Sequence, residues 1–295
     1  MSLLQVILLA IVQGFAELLP VSSSAHVVVA EKLMGLDPTS PEMTLLLVML
    51  HTGTMFAVIL YFWKQWKTSF FASAHTFWRI AVRLVLATLI TVIVGEGMMK
   101  AIEKIFGHGM KIEPEQFFGR LDLIAPALLA AGLLILVAGW KNRSGGPNGE
   151  AGSAFDNDGT PRPCLQQSSI IGFVQGLCLP FRGFSRSGAT ISTGLLLGIA
   201  RPQAEAFSFA LAVLLTPPVV AREVLRLIKM RHLEGHVALG HAAVPGLFGM
   251  VVAFLAGLLA LKWLSGWLES GKWYLFGIYC VAAALVVGLL HNAGY

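Results

Sequence analysis

Six long apolar stretches dominate the hydrophobic pattern of the chain, and polar connections separate them. A helix that crosses a bilayer needs about 20 mostly apolar residues, and each stretch is close to that length. The pattern therefore predicts six full transmembrane helices. Their predicted bounds are 43–63, 80–99, 122–140, 204–221, 243–264 and 273–291.

Two further apolar stretches, about 1–30 and 168–200, are interrupted near the middle by Pro, Gly, Ser and ionisable residues. Non-helical backbone at membrane depth has to be buried in protein or to line a wet cavity, because lipid cannot hydrogen-bond it. We therefore expect two re-entrant helical hairpins, one over 1–40 and one over 168–200.

The two interrupted stretches resemble each other at an offset of 162 residues. Val12-Gln13-Gly14 returns as Val174-Gln175-Gly176, and Ser23 falls on Ser185. Three predicted spans follow each hairpin, so the hairpins would open to opposite faces of the membrane. This arrangement is an inverted-topology repeat, in which broken helices meet near the midplane.

A stretch rich in Gly, Pro, Asn and Asp, 142–163, separates the two halves. It has almost nothing to bury, which predicts a flexible linker. The expected organisation is a single integral membrane domain with a first repeat over 1–141 and a second over 164–295. The predicted fold class is an all-α polytopic membrane protein.

Composition and charge agree with a membrane protein. Hydrophobic residues make up 56% of the chain and charged residues 13%, against about a quarter charged in soluble domains. The net charge of +5 comes without a basic block or a nucleic-acid motif, so no nucleic-acid partner is expected. With Arg182 and Arg186 set aside as intramembrane, ten Lys and Arg fall on one side and nine on the other. This balance does not set the orientation.

The three cysteines are far apart and lack metal-ligand spacing, so neither a disulfide framework nor a zinc site is indicated.

Gln13 and Glu17 are four residues apart, which places both side chains on one helix face. A carboxylate in an apolar stretch needs a cation or a protein partner. Two oxygen-bearing side chains on one face suit a hard cation such as Mg²⁺ or Ca²⁺. An Arg that neutralises Glu17, or a hairpin at the membrane interface, is the structural alternative.

A short polar loop, Pro20-Val-Ser-Ser-Ser-Ala-His26, follows directly. Pro20 ends the preceding helix, and the hydroxyls of Ser22, Ser23 and Ser24 beside His26 supply donors, a nucleophile and a titratable base. Ser22 or Ser23 as a simple helix N-cap is the alternative interpretation.

The segment Gly183-Phe-Ser-Arg-Ser-Gly188 with Thr190 is the sharpest candidate for an anion site. Its hydroxyls and the N–H groups that open the next helix are anion donors, and Arg186 matches phosphate oxygens in a bidentate manner. The predicted phosphate-binding residues are Ser22, Ser24, Ser185, Arg186, Ser187, Gly188 and Thr190. A salt bridge from Arg186 to Glu17 is the structural alternative.

His51 lies in the middle of a predicted span. Two interpretations stay open: it lines the same cavity, or it forms a hydrogen bond to a neighbouring helix.

These motifs resemble those of the bacterial undecaprenyl-diphosphatases, also called bacitracin-resistance proteins, along nearly the whole chain. The family's [E/Q]xxxE motif corresponds to Gln13–Glu17, PVSSSxH to 20–26, and GFSRSGATIS to 183–192. EAFSFALAV at 205–213 resembles the segment that follows the second long motif.

The resemblance implies a phosphoric anhydride hydrolase that converts undecaprenyl diphosphate to the monophosphate carrier for peptidoglycan synthesis. It implies that Gln13 and Glu17 act through a divalent cation, Mg²⁺ or Ca²⁺ with Mn²⁺ as a further candidate. Ser23 and His26 would then supply the nucleophile and the acid or base, and Arg186 would hold the phosphate. The catalytic residues expected are Glu17, Ser23, His26 and Arg186.

The same resemblance implies a location in the bacterial inner membrane, with the active site expected on the outer, periplasmic side. The expected partners are the polyprenyl diphosphate lipid and membrane lipids. A homodimer is one assembly that the resemblance leaves open. The chain departs from the family at Arg182, where Pro is usual, and its 142–163 linker is longer. A lipid-phosphate flippase or transporter is the competing function, because inverted repeats with broken helices are common in transporters.

Overall fold

A computed structural model describes residues 1–37, 40–106, 121–143, 163–181, 183–234 and 239–293. Every regular element that these residues form is an α-helix. The helices, in chain order, are α1 (Leu3–Leu18), α2 (Ser23–Leu33), α3 (Pro41–Ser69), α4 (Ala74–Phe106), α5 (Leu121–Arg143), α6 (Leu165–Cys178), α7 (Arg186–Leu196), α8 (Arg201–Glu234), α9 (Leu239–Glu269) and α10 (Tyr274–Asn292).

Six of the described helices are long and apolar enough to cross a membrane, which confirms the six predicted spans. Each of the six apolar spans in these helices contains one predicted span in full, except that the last two predicted spans begin one residue earlier than those in the structure. The spans are Glu42–Ser69, Ala74–Ile105, Leu121–Lys141, Arg201–Leu225, Val244–Glu269 and Tyr274–Asn292. The protein is a multi-pass membrane protein.

The four shorter helices form two helix–loop–helix pairs where the interrupted stretches were predicted. In the first pair, α1 ends at Leu18 and its C-cap Leu19 is extended, with ψ at 151°. Pro20 explains this end, because a proline disfavours helical backbone in the residue before it. In the second pair, α6 ends at Cys178 and α7 begins at Arg186. The predicted linker 142–163 starts two residues inside α5, and 144–162 lie outside the described residues.

The described chain divides into two compact units, each built from segments of both halves. Unit 1 consists of Met1–Leu19, Ser23–Tyr61 and Ala212–Leu264. Unit 2 consists of Pro20–Ser22, Phe62–Leu211 and Ser265–Tyr295.

The core of unit 1 joins α1, α2, α3 and α9. Its buried apolar residues are Val6, Leu9, Ala10, Val27, Met43, Leu46, Leu50 and Ala253. In unit 2, α5 packs against α10, and α4 against α6. Gly132 and Gly277 make the approach of α5 to α10 close, since a Cβ on Gly277 would lie 2.9 Å from the carbonyl oxygen of Gly132. Small residues at such interfaces let membrane helices pack tightly.

Candidate active site

Glu17 contacts several polar side chains of unit 1. Gln13 Nε2 donates a hydrogen bond to Glu17 Oε2 over 3.2 Å, which confirms that the two side chains share a face of α1. Gln13 is 1% exposed, and the Glu17 side chain is 17% exposed. Glu17 therefore accepts a hydrogen bond from a buried side chain, while its own carboxylate stays partly exposed and accessible to a small ligand.

Close packing of α1 against α9 fixes the place of this face. A Cβ on Gly14 would lie 2.6 Å from Ala256 Cβ and 2.8 Å from the Ala253 carbonyl oxygen. A larger residue at this position would therefore push α1 away from α9. Gly14 is one residue after Gln13 and three before Glu17, so the contact holds both side chains at a defined distance from α9.

The start of α2 brings a hydroxyl to the same carboxylate. Ser23 is the first residue of α2, and its Oγ donates to Glu17 Oε2 over 2.5 Å. Ser22, just before it, is buried and has a φ of 68°, a conformation that non-glycine residues rarely adopt outside turns and functional sites. Because α2 begins at Ser23 itself, Ser23 lies after the N-cap position. Its side chain donates a hydrogen bond to Glu17 instead.

His26 and Ser24 lie on the first turn of α2, and both are half-buried. His26 follows Ser23 by three residues, which places the two side chains on one face of the helix.

His51 of α3 is a further contact of Glu17, and the sequence left two interpretations of it open. Its Nε2 lies 3.6 Å from Glu17 Oε2, and its Nδ1 lies 2.8 Å from the carbonyl oxygen of Leu47. The contact with Glu17, which lies on the neighbouring helix α1, agrees with both interpretations of His51. The signal in the sequence was a histidine in the middle of an apolar span, but its partner could not be read from spacing.

In unit 2, the second hairpin forms a capped helix start. Ser185 is the N-cap of α7, and its Oγ accepts a hydrogen bond from the Gly188 N–H over 3.1 Å. Ser185 Oγ also lies 3.5 Å from Ser187 Oγ. Gly183 has a φ of +111°, and a Cβ there would lie 2.6 Å from the Ile124 carbonyl oxygen. The loop before α7 therefore requires glycine at 183.

Arg186 is the first residue of α7 and is half-buried. A cation at a helix N-terminus opposes the helix dipole, so helix stability does not explain an arginine here. An anionic ligand at the same helix end would explain it. Arg182, the position at which the chain departs from the family pattern, lies outside the described residues.

Thr190 is buried against a residue that the sequence reasoning missed. Its Oγ1 lies 2.6 Å from Ser208 Oγ of α8, and it also donates to the Arg186 carbonyl oxygen over 2.8 Å. Ser208 lies inside the EAFSFALAV segment, but its spacing in the sequence does not indicate a contact with Thr190.

The donor set around Glu17 suits a hard divalent cation. It offers a partly exposed carboxylate, the Ser23 hydroxyl, and the amide oxygen of Gln13 if that amide turns over. Within the described ranges, no group of three or more His, Cys, Asp and Glu residues could hold a metal ion. The protein would thus supply few ligands, which is usual for Mg²⁺ that keeps waters and binds substrate phosphates.

The chain matches one family model and many curated relatives. The model for the bacitracin resistance protein BacA matches residues 6–286. The chain is 54% identical to undecaprenyl-diphosphatase 2 of Acinetobacter baylyi, over 97% of each chain. It is 35% identical to the undecaprenyl-diphosphatase of Desulfosudis oleivorans over 95% of each chain. It is 30% identical to that of Bacteroides thetaiotaomicron, over 97% of this chain and 98% of the relative. The residues that the family model matches include the second hairpin and residues 6–40 of the first.

Proposed function

The chain belongs to the bacitracin resistance protein BacA family, and from this premise we propose that it hydrolyses undecaprenyl diphosphate to undecaprenyl phosphate and inorganic phosphate. The observation that carries the proposal is the hydrogen bond from Ser23 Oγ to Glu17 Oε2. It joins a nucleophile to a base at a half-buried membrane site, which a phosphatase needs and a phosphate carrier does not. The hydrolysis recycles the lipid carrier for peptidoglycan synthesis, and raised expression should increase bacitracin resistance.

In the proposed reaction, Ser23 Oγ attacks the terminal phosphorus and Glu17 takes its proton. The anhydride bond breaks, and undecaprenyl phosphate leaves with the bridging oxygen. Water then cleaves the phosphoserine, which restores Ser23 and releases inorganic phosphate. His26, on the same face of α2 as Ser23, acts as the acid and base that exchanges protons with the leaving oxygen and the attacking water.

Arg186 is proposed to hold the phosphate oxygens of the same substrate. A diphosphate carries about two to three negative charges, so its hydrolysis needs fixed cations and donors for the charge that develops. Ser185, Ser187, Gly188 and Thr190 surround this helix start and are proposed as its supporting donors and packing partners. Ser22 and Ser24 are proposed as phosphate donors from the first hairpin.

A divalent cation is proposed at Glu17, with Mg²⁺, Ca²⁺ or Mn²⁺ as candidates. When bound, such a cation supplies charge neutralisation for the phosphate oxygens. A carboxylate has about four lone-pair sites, so Glu17 can accept the Ser23 proton and hold a cation. Gln13 can contribute a ligand only through its amide oxygen, whereas its amide nitrogen faces Glu17.

We further propose that the two hairpins are re-entrant and that the halves form an inverted repeat. Reciprocal contacts support this. Gly14 approaches Ala253 and Ala256 on α9, whereas Gly176 approaches Thr91 and Val94 on α4. The two glycines, and both pairs of partners, are each 162 residues apart. Each first hairpin helix thus packs on the second span of the other half, at equivalent positions.

Labelling of single cysteines with a membrane-impermeant reagent tests the re-entrant hairpin. Ser2 and Asp37 are both exposed at the ends of the α1–α2 pair. Cysteines introduced singly at these two positions should react from the same side of the membrane. A cysteine introduced at Ser73, beyond α3, should react from the opposite side. Reaction of Ser2 and Asp37 from opposite sides would mean that the pair crosses the membrane.

The proposed location is the bacterial inner membrane, with the active site open to the periplasmic side and the lipid tail in the bilayer. Membrane lipids surround the protein, and a homodimer is a proposed assembly.

Phosphate release by the purified protein in detergent separates the enzyme from a flippase or transporter. Transport needs two compartments and cannot occur in detergent, whereas hydrolysis can. We expect one inorganic phosphate and one undecaprenyl phosphate for each substrate consumed. Intact substrate after incubation with Mg²⁺, Ca²⁺ or Mn²⁺ would exclude the enzyme.

A further inference from the structure

We propose that His51 is a direct ligand of the divalent cation held by Glu17, an inference that rests on the proposed function. The two side chains come from different helices of unit 1, α3 and α1, and His51 Nε2 lies 3.6 Å from Glu17 Oε2. The sequence gives no ligand spacing between them, because the pair forms only when the helices pack.

The other ring nitrogen fixes the tautomer of His51. Its Nδ1 lies 2.8 Å from the Leu47 carbonyl oxygen, which can only accept a hydrogen bond, so Nδ1 carries the proton. In a neutral imidazole, Nε2 then presents a bare lone pair. Glu17 Oε2 lies 3.6 Å from this nitrogen, so a cation between the two atoms would be attracted to both.

The spacing of the two atoms suits one shared cation. A hydrogen bond between nitrogen and oxygen is shorter, at about 2.7–3.2 Å. Two neighbouring ligand atoms at about 2.2–2.4 Å from one octahedral cation stand about 3.1–3.4 Å apart, so a small shift of either side chain would bring both into contact with one ion. Histidines that bind metals commonly donate their other N–H to a backbone carbonyl, as His51 does to Leu47.

Access to the pair also suits a partly hydrated ion. The His51 side chain is 41% exposed and the Glu17 side chain 17%, so water and phosphate oxygens can fill the remaining positions. Carboxylate and water ligands suit Mg²⁺, Ca²⁺ and Mn²⁺, but of these three only Mn²⁺ belongs to the transition metals, to which imidazole binds well. His51 should therefore shift the preference of the site from Mg²⁺ and Ca²⁺ toward Mn²⁺.

Pulsed electron paramagnetic resonance of bound Mn²⁺ tests the assignment, because a directly bound imidazole nitrogen modulates the electron spin echo. The tag-free protein should show this ¹⁴N modulation, and His51→Ala and His51→Gln should lose it. His75→Ala is the matched control, since His75 is exposed at the start of α4, and it should keep the signal. Titration should show Mn²⁺ affinity reduced about tenfold or more in His51→Ala, because even outer partners of metal ligands change affinity by about 10–100-fold.

The alternative arrangement is a protonated His51 paired with Glu17, and it gives opposite results. In that case Mn²⁺ binding would be unchanged or tighter in His51→Ala. Bound Mn²⁺ without ¹⁴N modulation in the wild type would overturn the proposal, and so would modulation that survives in His51→Ala and disappears in His26→Ala. Phosphate release is measured on the same preparation. An active wild type without the modulation rejects His51 as a ligand and leaves the phosphatase intact, whereas inactivity with every cation rejects the phosphatase itself.

Discussion

At the scale of single residues, Glu17 links the groups on which the proposed chemistry depends. It accepts hydrogen bonds from Gln13 and Ser23 and lies beside His51. The four-residue spacing of Gln13 and Glu17 made their shared face predictable. The contacts of Ser23 and His51 were not, since one depends on the turn at Ser22 and the other on the packing of α3 against α1.

The Ser23–Glu17 hydrogen bond predicts strong non-additivity. Ser23→Ala and Glu17→Gln should each lower kcat by about a hundredfold or more, because positioned proton transfer contributes about 10²–10⁴-fold. The double variant should be scarcely slower than the slower single variant, since residues that act as a unit are not additive. Steady-state phosphate release from the four proteins measures this. Multiplicative losses would mean that the two residues act in separate steps.

Arg186 should respond differently to substitution. It is proposed to bind phosphate in both the ground and transition states, so Arg186→Lys should raise KM and lower kcat together. Lysine should not rescue activity, because a point charge cannot reproduce the planar fork of a guanidinium. The same assay, over a range of substrate concentrations, checks this. Wild-type kinetics in Arg186→Lys would leave only a general role for positive charge.

At the scale of elements, glycine contacts set the positions of the first helix of each hairpin. Gly14→Ala and Gly176→Ala each place a Cβ under 3.0 Å from a neighbouring helix, and such overpacking typically costs about 1–3 kcal/mol. Both variants should melt at a lower temperature in detergent. Gly14→Ala should also lower activity, because it shifts Gln13 and Glu17.

Gly97→Ala is the control for the glycine variants, because nothing lies within 4 Å of a Cβ at that position. Its melting temperature should be unchanged or slightly raised, since alanine favours helix more than glycine does. Equal melting temperatures for Gly14→Ala and Gly97→Ala would show that the Gly14 contact does not fix α1.

The elements themselves were largely predictable from the sequence. The spans followed from apolar length, and the end of α1 followed from Pro20. The start of α7 could be placed only roughly, because Ser185 as its N-cap depends on a loop in which Gly183 packs against Ile124. The partners of the hairpins were not readable either, since Gly14 and Gly176 each pack on a helix far along the chain.

At the scale of the whole molecule, the two proposed repeats differ in chemistry. At the offset of 162, Glu17 corresponds to Leu179, and Ser24 corresponds to Arg186. The first hairpin therefore carries the Glu17 carboxylate, and the second carries the Arg186 guanidinium. This difference is what the proposed roles require, with a base from the first hairpin and an anion-binding group from the second.

Phosphate release from undecaprenyl diphosphate by wild type, Glu17→Gln and Glu42→Gln tests the central claim most directly. Glu42 is an exposed carboxylate in the first turn of α3 and serves as the matched control. With a divalent cation present, the wild type and Glu42→Gln should release phosphate at equal rates, and Glu17→Gln should be slower by about a hundredfold or more. Equal rates in all three proteins, or no release by a folded wild type with any of the three cations, would contradict an active site built on Glu17.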